Sequence, residues 1–254
     1  MKNIAIAILL LILLLILLLV TPVSAGIQGA RGFEKTVLDA TFALYGSRID
    51  KTTLKLYQPF LCTAFVFQKD ATGYLLLSAG HCVDDTPIDA TFGVAEQMGG
   101  TIQLVTVVSA RLKASDDYAI FHLDTSKIYP VLTLGDESTE YVGSAELNPN
   151  FAYGIVKQLA HGVISSQIID KPAPHSDCSL CVGYFALQSF AGGGASGSPV
   201  ISVTTHKVIG VLVLTLEGSG FGVEPISLVK EAETRPDMQT ELHKLHLDNE
   251  DESN

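Results

Sequence analysis

Gly192-Gly193-Gly194-Ala195-Ser196-Gly197-Ser198-Pro199-Val200 is the stretch on which the reading of this chain turns. Far upstream stands Ser78-Ala79-Gly80-His81-Cys82, and between the two lies Asp116-Asp117-Tyr118-Ala119-Ile120-Phe121. The patches follow the order His, Asp, Ser, one of the chain orders in which acyl-transfer triads occur. A serine hydroxyl is a poor nucleophile at neutral pH. It needs a base within hydrogen-bond reach, and the base needs an orienting group. Ser196 is the candidate nucleophile, and His81 the candidate base, because imidazole titrates near working pH. Asp117 is the candidate orienter and Asp116 its competitor. Side chains alternate along a strand, so one of the two faces His81. Asp117 is preferred because the apolar run Tyr118–Phe121 follows it directly.

The glycines before Ser196 have a mechanical logic. An oxyanion hole built from backbone N–H groups brings the chain close to a substrate carbonyl at unusual φ, and glycine permits both. The N–H groups of Gly194 and Ser196 are the candidate donors. Each patch alone has a plainer reading: a triple glycine as a flexible loop, His81 as a strand-end histidine, Asp117 as a strand terminator. Their joint order and context on one chain favour the triad.

The first 25 residues read as a leader rather than as part of the fold. Lys2 is basic, residues 4–20 are nearly pure Ile, Leu and Ala, and Val23-Ser24-Ala25 before Gly26 suits a signal peptidase. An uncleaved anchor spanning residues 4–20 is the alternative, since 17 apolar residues are at the lower limit for crossing a bilayer. Either way the remainder is exported, secreted or periplasmic. The remaining 229 residues suit one all-β domain. The net charge of −11 becomes −12 without Lys2. No basic stripe is present, which excludes nucleic acid as the expected partner. Four cysteines on an exported chain favour disulfides.

Past the leader, short β-rich runs alternate with turn residues. Leu61–Gln68 and Tyr74–Ala79 read as a hairpin joined by Lys69-Asp70-Ala71-Thr72-Gly73 and leading into His81. Further strands are expected over 101–110, 118–123, 144–147, 162–169, 184–189, 199–203 and 208–216, a spacing that suits a barrel or sandwich. No long amphipathic helix interrupts them, which disfavours a doubly wound parallel sheet. Helical spacing appears only at Ile226–Glu233 and Asp237–Leu247, separated by Pro236. Residues 248–254 form an acidic tail expected to be disordered. Residues 26–60 carry no readable motif.

Taken together, these residues resemble the trypsin-like serine peptidases from about Cys62 to Val229. Ser78–Cys82 resembles the family's histidine motif. Gly194–Pro199 resembles its serine motif, in the form found in exported bacterial members. Leu134-Gly135-Asp136-Glu137-Ser138, His161-Gly162-Val163-Ile164-Ser165 and Phe221-Gly222-Val223-Glu224-Pro225 are more similar to the HtrA/Deg group. The resemblance implies two packed six-stranded antiparallel β-barrels, about 36–125 and 140–225, with the triad between them. A C-terminal helix would cover 226–247 and complete a peptidase domain over 26–247. It also implies a Cys62–Cys82 disulfide, polypeptide substrates, and no cofactor or metal. Ala195 stands where digestive members carry an acid, which argues against activation by a new N-terminus. No PDZ domain is expected.

By position, Phe190 would sit near the base of the substrate pocket, with Leu212, Val213, Leu214 and Thr215 along one wall. That wall suits small or medium apolar side chains. An acidic preference would need a cationic partner, for which His161 and His175 are available. Ser198 is expected to be structural. Cys178 and Cys181 read first as a local disulfide, then as free thiols, then with His175 as three zinc ligands lacking a fourth. The function that follows is an exported serine endopeptidase. The alternative is a catalytically silent relative that binds peptides. A membrane enters only if the leader stays attached, and no motif specifies an oligomer.

Overall fold

The computed structural model describes residues 32–46, 48–50, 55–57, 60–84, 91–113, 116–168, 183–216 and 220–234. The leader, His175, Cys178, Cys181 and residues 235–254 lie outside them. All the sheets lie in the unit that begins at Leu38.

Two closed six-stranded antiparallel barrels make up the fold. The first has the order β1 (Thr41–Gly46), β4 (Phe60–Lys69), β5 (Gly73–Ser78), β8 (Asp116–Asp124), β7 (Gln103–Lys113), β6 (Phe92–Ala95). The second runs β10 (Gln158–Ser166), β11 (Phe185–Gln188), β14 (Gly220–Pro225), β13 (Val208–Leu216), β12 (Pro199–Ser202), β9 (Ala145–Asn150). A two-stranded ribbon of β2 (Arg48–Asp50) and β3 (Lys55–Tyr57) stands apart. Helices are few: residues 32–39 are helical ahead of β1, α1 (His81–Asp84) follows β5, and α2 (Ile226–Thr234) follows β14.

Closure explains why several strands are apolar on consecutive residues rather than in strict alternation. Tyr118, Ala119, Ile120 and Phe121 of β8 are all buried, so both faces of this strand are covered. Phe42, Phe65, Leu76 and Phe121 are fully buried on strands of the first barrel; Ile164, Phe185, Leu187, Val200, Leu212 and Val223 cluster in the second. The β4–β5 turn follows its chemistry. Asp70 Oδ1 accepts the N–H groups of Thr72 and Gly73, each at 2.8 Å, and these bonds hold the carboxyl below its ordinary range. Gly73 is required by proximity: a Cβ there would stand 2.0 Å from the carbonyl oxygen of Leu123 on β8.

The strands read from sequence lie within one to four residues of those observed, and β13 spans the same residues. The sequence reading did not find β1, the β2–β3 ribbon or β6, and it ended β9 three residues early. Beyond Leu147, β9 continues as Asn148-Pro149-Asn150, residues that read as a loop. Both asparagines are nevertheless fully buried, because the surrounding chain satisfies their amides. Lys157 joins the barrels: its Nζ donates to the carbonyl of Leu38 at 2.8 Å and lies near the rings of Phe42 and Phe151. Burial pushes its amine down to about 8, against the opposing pull of Asp39 and Glu96.

Glu146, also on β9, is 1% exposed, and neither carboxylate oxygen has a hydrogen-bond partner among the described residues. Gly162 across the ladder makes room for it, since a Cβ there would lie 2.1 Å from Oε1. Burial pushes this carboxyl up to about 8, with the nearby Ser189 hydroxyl only a partial offset, so it is mainly neutral at pH 7. Between 4.5 and about 8 the unfolded chain ionises Glu146 while the folded chain keeps it protonated. Folding then takes up a proton, and this group's contribution falls as pH rises through that window. Glu146→Gln is expected to remove that slope. Urea unfolding at about pH 5 and about pH 8 should show a smaller loss of stability than in the wild type; an unchanged slope would contradict the assignment.

Candidate active site

β5 and β8 pair antiparallel with Ser78 opposite Ala119. Extending that register two residues sets Asp117 beside the turn that turns β5 into α1, and His81 is the first residue of α1. Asp117 grips His81 twice. Oδ1 accepts the His81 backbone N–H at 2.9 Å, and Oδ2 lies 2.8 Å from Nδ1. An ionised carboxylate only accepts, so the neutral ring carries its proton on Nδ1 and keeps the Nε2 lone pair for another partner. Asp117 is 7% exposed, while about a third of the His81 side chain meets solvent. Asp117, the aspartate preferred from sequence, is in contact with His81. A Cys62–Cys82 disulfide, with Cα atoms 6.2 Å apart, ties β4 to α1.

The Ser196 loop is folded by its own backbone. Ala195 N–H donates to Gly192 O (2.9 Å) and Ser198 N–H to Ala195 O (3.0 Å). Gly197 N–H and Ser198 O bond to Leu212 O and N–H, pinning the loop to β13. Gly194 and Gly197 have φ of +96° and +85°, in the left-handed region that favours glycine. Gly197 is also hemmed in: a Cβ would sit 2.2 Å from both Ser78 Oγ and Thr63 O. Among the described residues, the N–H groups of Gly194 and Ser196 have no acceptor.

Thr63 on β4 joins the His81 side to the Ser196 side. Its N–H donates to Ser196 O (2.8 Å), its hydroxyl donates to Gly194 O (2.8 Å), and that hydroxyl accepts from Phe151 N–H (3.2 Å). Its carbonyl accepts from Ser78 Oγ at 2.8 Å. Two buried asparagines brace the loop from below. Asn148 donates to Ser198 Oγ and Pro199 O; Asn150 donates to Asn148 Oδ1 and to Phe190 O. Ser198 is fully buried in this brace, in a structural position. Sequence reasoning missed Thr63, Asn148 and Asn150. Their roles depend on contacts across the two barrels, for which a single residue letter carries no signal.

The residues expected at the substrate pocket fall on β13 and on the loop before Ser196. Val213 is buried on β13, Leu214 is partly exposed, and Thr215 follows on the same strand. Phe190 differs from the expectation. Its side chain is 60% exposed and edges against Tyr153, with ring centroids 6.5 Å apart, rather than closing a pocket base. His161 is on β10, in the second barrel. Among the described residues, one group of three potential metal ligands occurs, Cys62, His81 and Cys82, and its two sulfurs are bonded to each other.

The arrangement can hold a histidine in one tautomer, and the Ser196 loop carries two N–H donors without an acceptor among the described residues. Thr63→Val keeps the shape of the residue but removes the hydroxyl, leaving Phe151 N–H and Gly194 O without their partner. It is expected to cost about 1–3 kcal/mol of stability in urea unfolding. Unchanged stability would show that the hydroxyl bonds contribute nothing net.

No curated protein matches the chain. A solved structure described as "HtrA-type protease AlgW with decapeptide" is similar at 17% identity and a TM-score of 0.62. The match covers 79% of this chain and 65% of that one, and at this identity the likeness shows the fold. The family described as "Trypsin-like peptidase domain" matches residues 62–211, more than half of the sequence and a span holding His81, Asp117 and Ser196. The chain therefore belongs to the trypsin-like peptidase family.

Proposed function

We propose that the protein is an exported serine endopeptidase acting through Ser196, His81 and Asp117. The observation that carries this reading is the double grip of Asp117 on His81, which leaves Nε2 as a base. His81 takes the Ser196 hydroxyl proton as Oγ attacks the peptide carbonyl. The negative oxygen that forms is met by the N–H groups of Gly194 and Ser196. His81 returns the proton to the leaving amine, giving an acyl-enzyme and a free amine product. Water then attacks the ester carbon with His81 again as base, releasing the acid and regenerating Ser196. Asp117 remains ionised throughout, holding the tautomer and stabilising the imidazolium.

Polypeptides are the substrate class that suits a peptidase, and the similar HtrA-type protease is described with a decapeptide. The apolar wall of Val213 and Leu214 favours apolar side chains at the cleavage site. Hydrolysis of an unstructured polypeptide should be seen with the wild type and lost in Ser196→Ala and His81→Ala. Asp117→Asn is expected to lower kcat by about 10⁴-fold, because its amide favours the wrong tautomer. Equal turnover by wild type and Ser196→Ala would contradict the proposal. Residues 1–25 support export with cleavage before Gly26. The intact mass of protein recovered from outside the producing cell should begin at Gly26; a mass retaining residues 4–20 would instead indicate an anchor.

A further inference from the structure

Tyr153 lies in the 3-10 turn Ala152–Gly154 that follows β9. Its φ is +59°; among the described residues, only one other non-glycine residue, His206, has a positive φ. Bulky L-residues rarely adopt this conformation, and positions that do repay inspection. In this conformation the Tyr153 N–H donates to the carbonyl of Gly193 at 2.5 Å. The carbonyl and the following N–H of a trans peptide point in opposite directions. Drawing Gly193 O toward Tyr153 therefore turns the Gly194 N–H away from it. That N–H has no acceptor among the described residues. Half a turn of the same peptide would put a carbonyl where the donor now stands.

The tyrosine ring lies over the same loop. A Cβ on Gly192 would come within 2.4 Å of Tyr153 Cζ and 2.8 Å of Cε1 and Cε2. Gly192 has no positive φ, so the ring, not the backbone, is what demands glycine at that position. The ring is nonetheless 64% exposed. It caps the loop instead of contributing to the core.

We propose that Tyr153 is the positioning residue of the oxyanion hole: its strained backbone N–H fixes the Gly193–Gly194 peptide so that Gly194 presents its donor. This rests on the reading of Ser196 as nucleophile.

Four variants, assayed beside the wild type and Ser196→Ala, test it. Tyr153→Pro removes the N–H and cannot reach this φ. It is expected to lower kcat by about 10²–10³-fold, the loss typical of one oxyanion donor, with KM little changed. Tyr153→Gly keeps the N–H and tolerates the conformation, so kcat should stay within a few-fold of wild type. Gly192→Ala drives a methyl into the ring, displaces Tyr153 and should lower kcat more than ten-fold. Adding Tyr153→Gly to it removes the clash and should restore kcat to that of Tyr153→Gly alone. A purely structural role would not give this rescue. If Tyr153→Pro does not fold by circular dichroism, the Gly192→Ala pair decides. A folded Tyr153→Pro with wild-type kcat overturns the proposal, as does a Gly192→Ala variant that keeps full kcat or is not rescued. Absence of Ser196-dependent turnover in the wild type overturns the reading beneath it and the proposal together.

Discussion

Thr63 is the residue through which the two barrels reach each other at the site. It is fully buried, lies on β4 of the first barrel and pairs with Ala43 on β1. From there its N–H and hydroxyl hold Ser196 O and Gly194 O, and its hydroxyl receives the N–H of Phe151 just past β9. One side chain thus bonds to the Ser196 loop and to the end of β9 at once. The neighbouring Cys62 carries the covalent link to Cys82, next to His81. This short stretch of β4 thus links the segment holding His81 to the Ser196 loop. Hydrogen bonds of this kind contribute modestly when made but cost the full desolvation of the orphaned group when broken.

The tightness of that junction explains the glycines around it. Gly197 has no room for a side chain against Thr63 and Ser78, and its positive φ would resist one independently. Gly192 is small because Tyr153 covers it, and Gly194 because its φ is +96°. The glycine-rich run is therefore a packed loop with specified dihedrals. Buried polar groups brace it alongside the apolar core of the second barrel. Asn148 and Asn150 satisfy one another and the loop carbonyls, so they rigidify the floor at little electrostatic cost. Glu146 has no such partner and instead gives up its charge.

The hairpin entering His81 was legible because its turn residues and apolar runs agree, and β13 because Val208–Leu216 is a long apolar run. β9 was legible only as far as Leu147: Asn, Pro and Asn speak locally for a loop, and only the second barrel's contacts make them a strand. The first barrel's opening strand, Thr41–Gly46, is a short apolar run in a region without turn signals. At the site, the contact between His81 and Asp117 follows from local motif and strand alternation. The roles of Thr63 and Tyr153 do not. They arise from backbone atoms meeting across sheets and from one positive φ, neither of which residue type encodes. Phe190 was placed by counting back from Ser196, and counting cannot tell which way a loop side chain turns.

In the proposed reaction Ser196 is the nucleophile and His81, held by Asp117, is its base. The most direct measurement is the mass of purified residues 26–254 after exposure to a fluorophosphonate, with the modified residue located by fragment mass spectrometry. The account predicts one phosphonyl group on Ser196 and none when His81 is alanine. A folded wild-type protein that takes up no label, or takes it up on another residue, would contradict it.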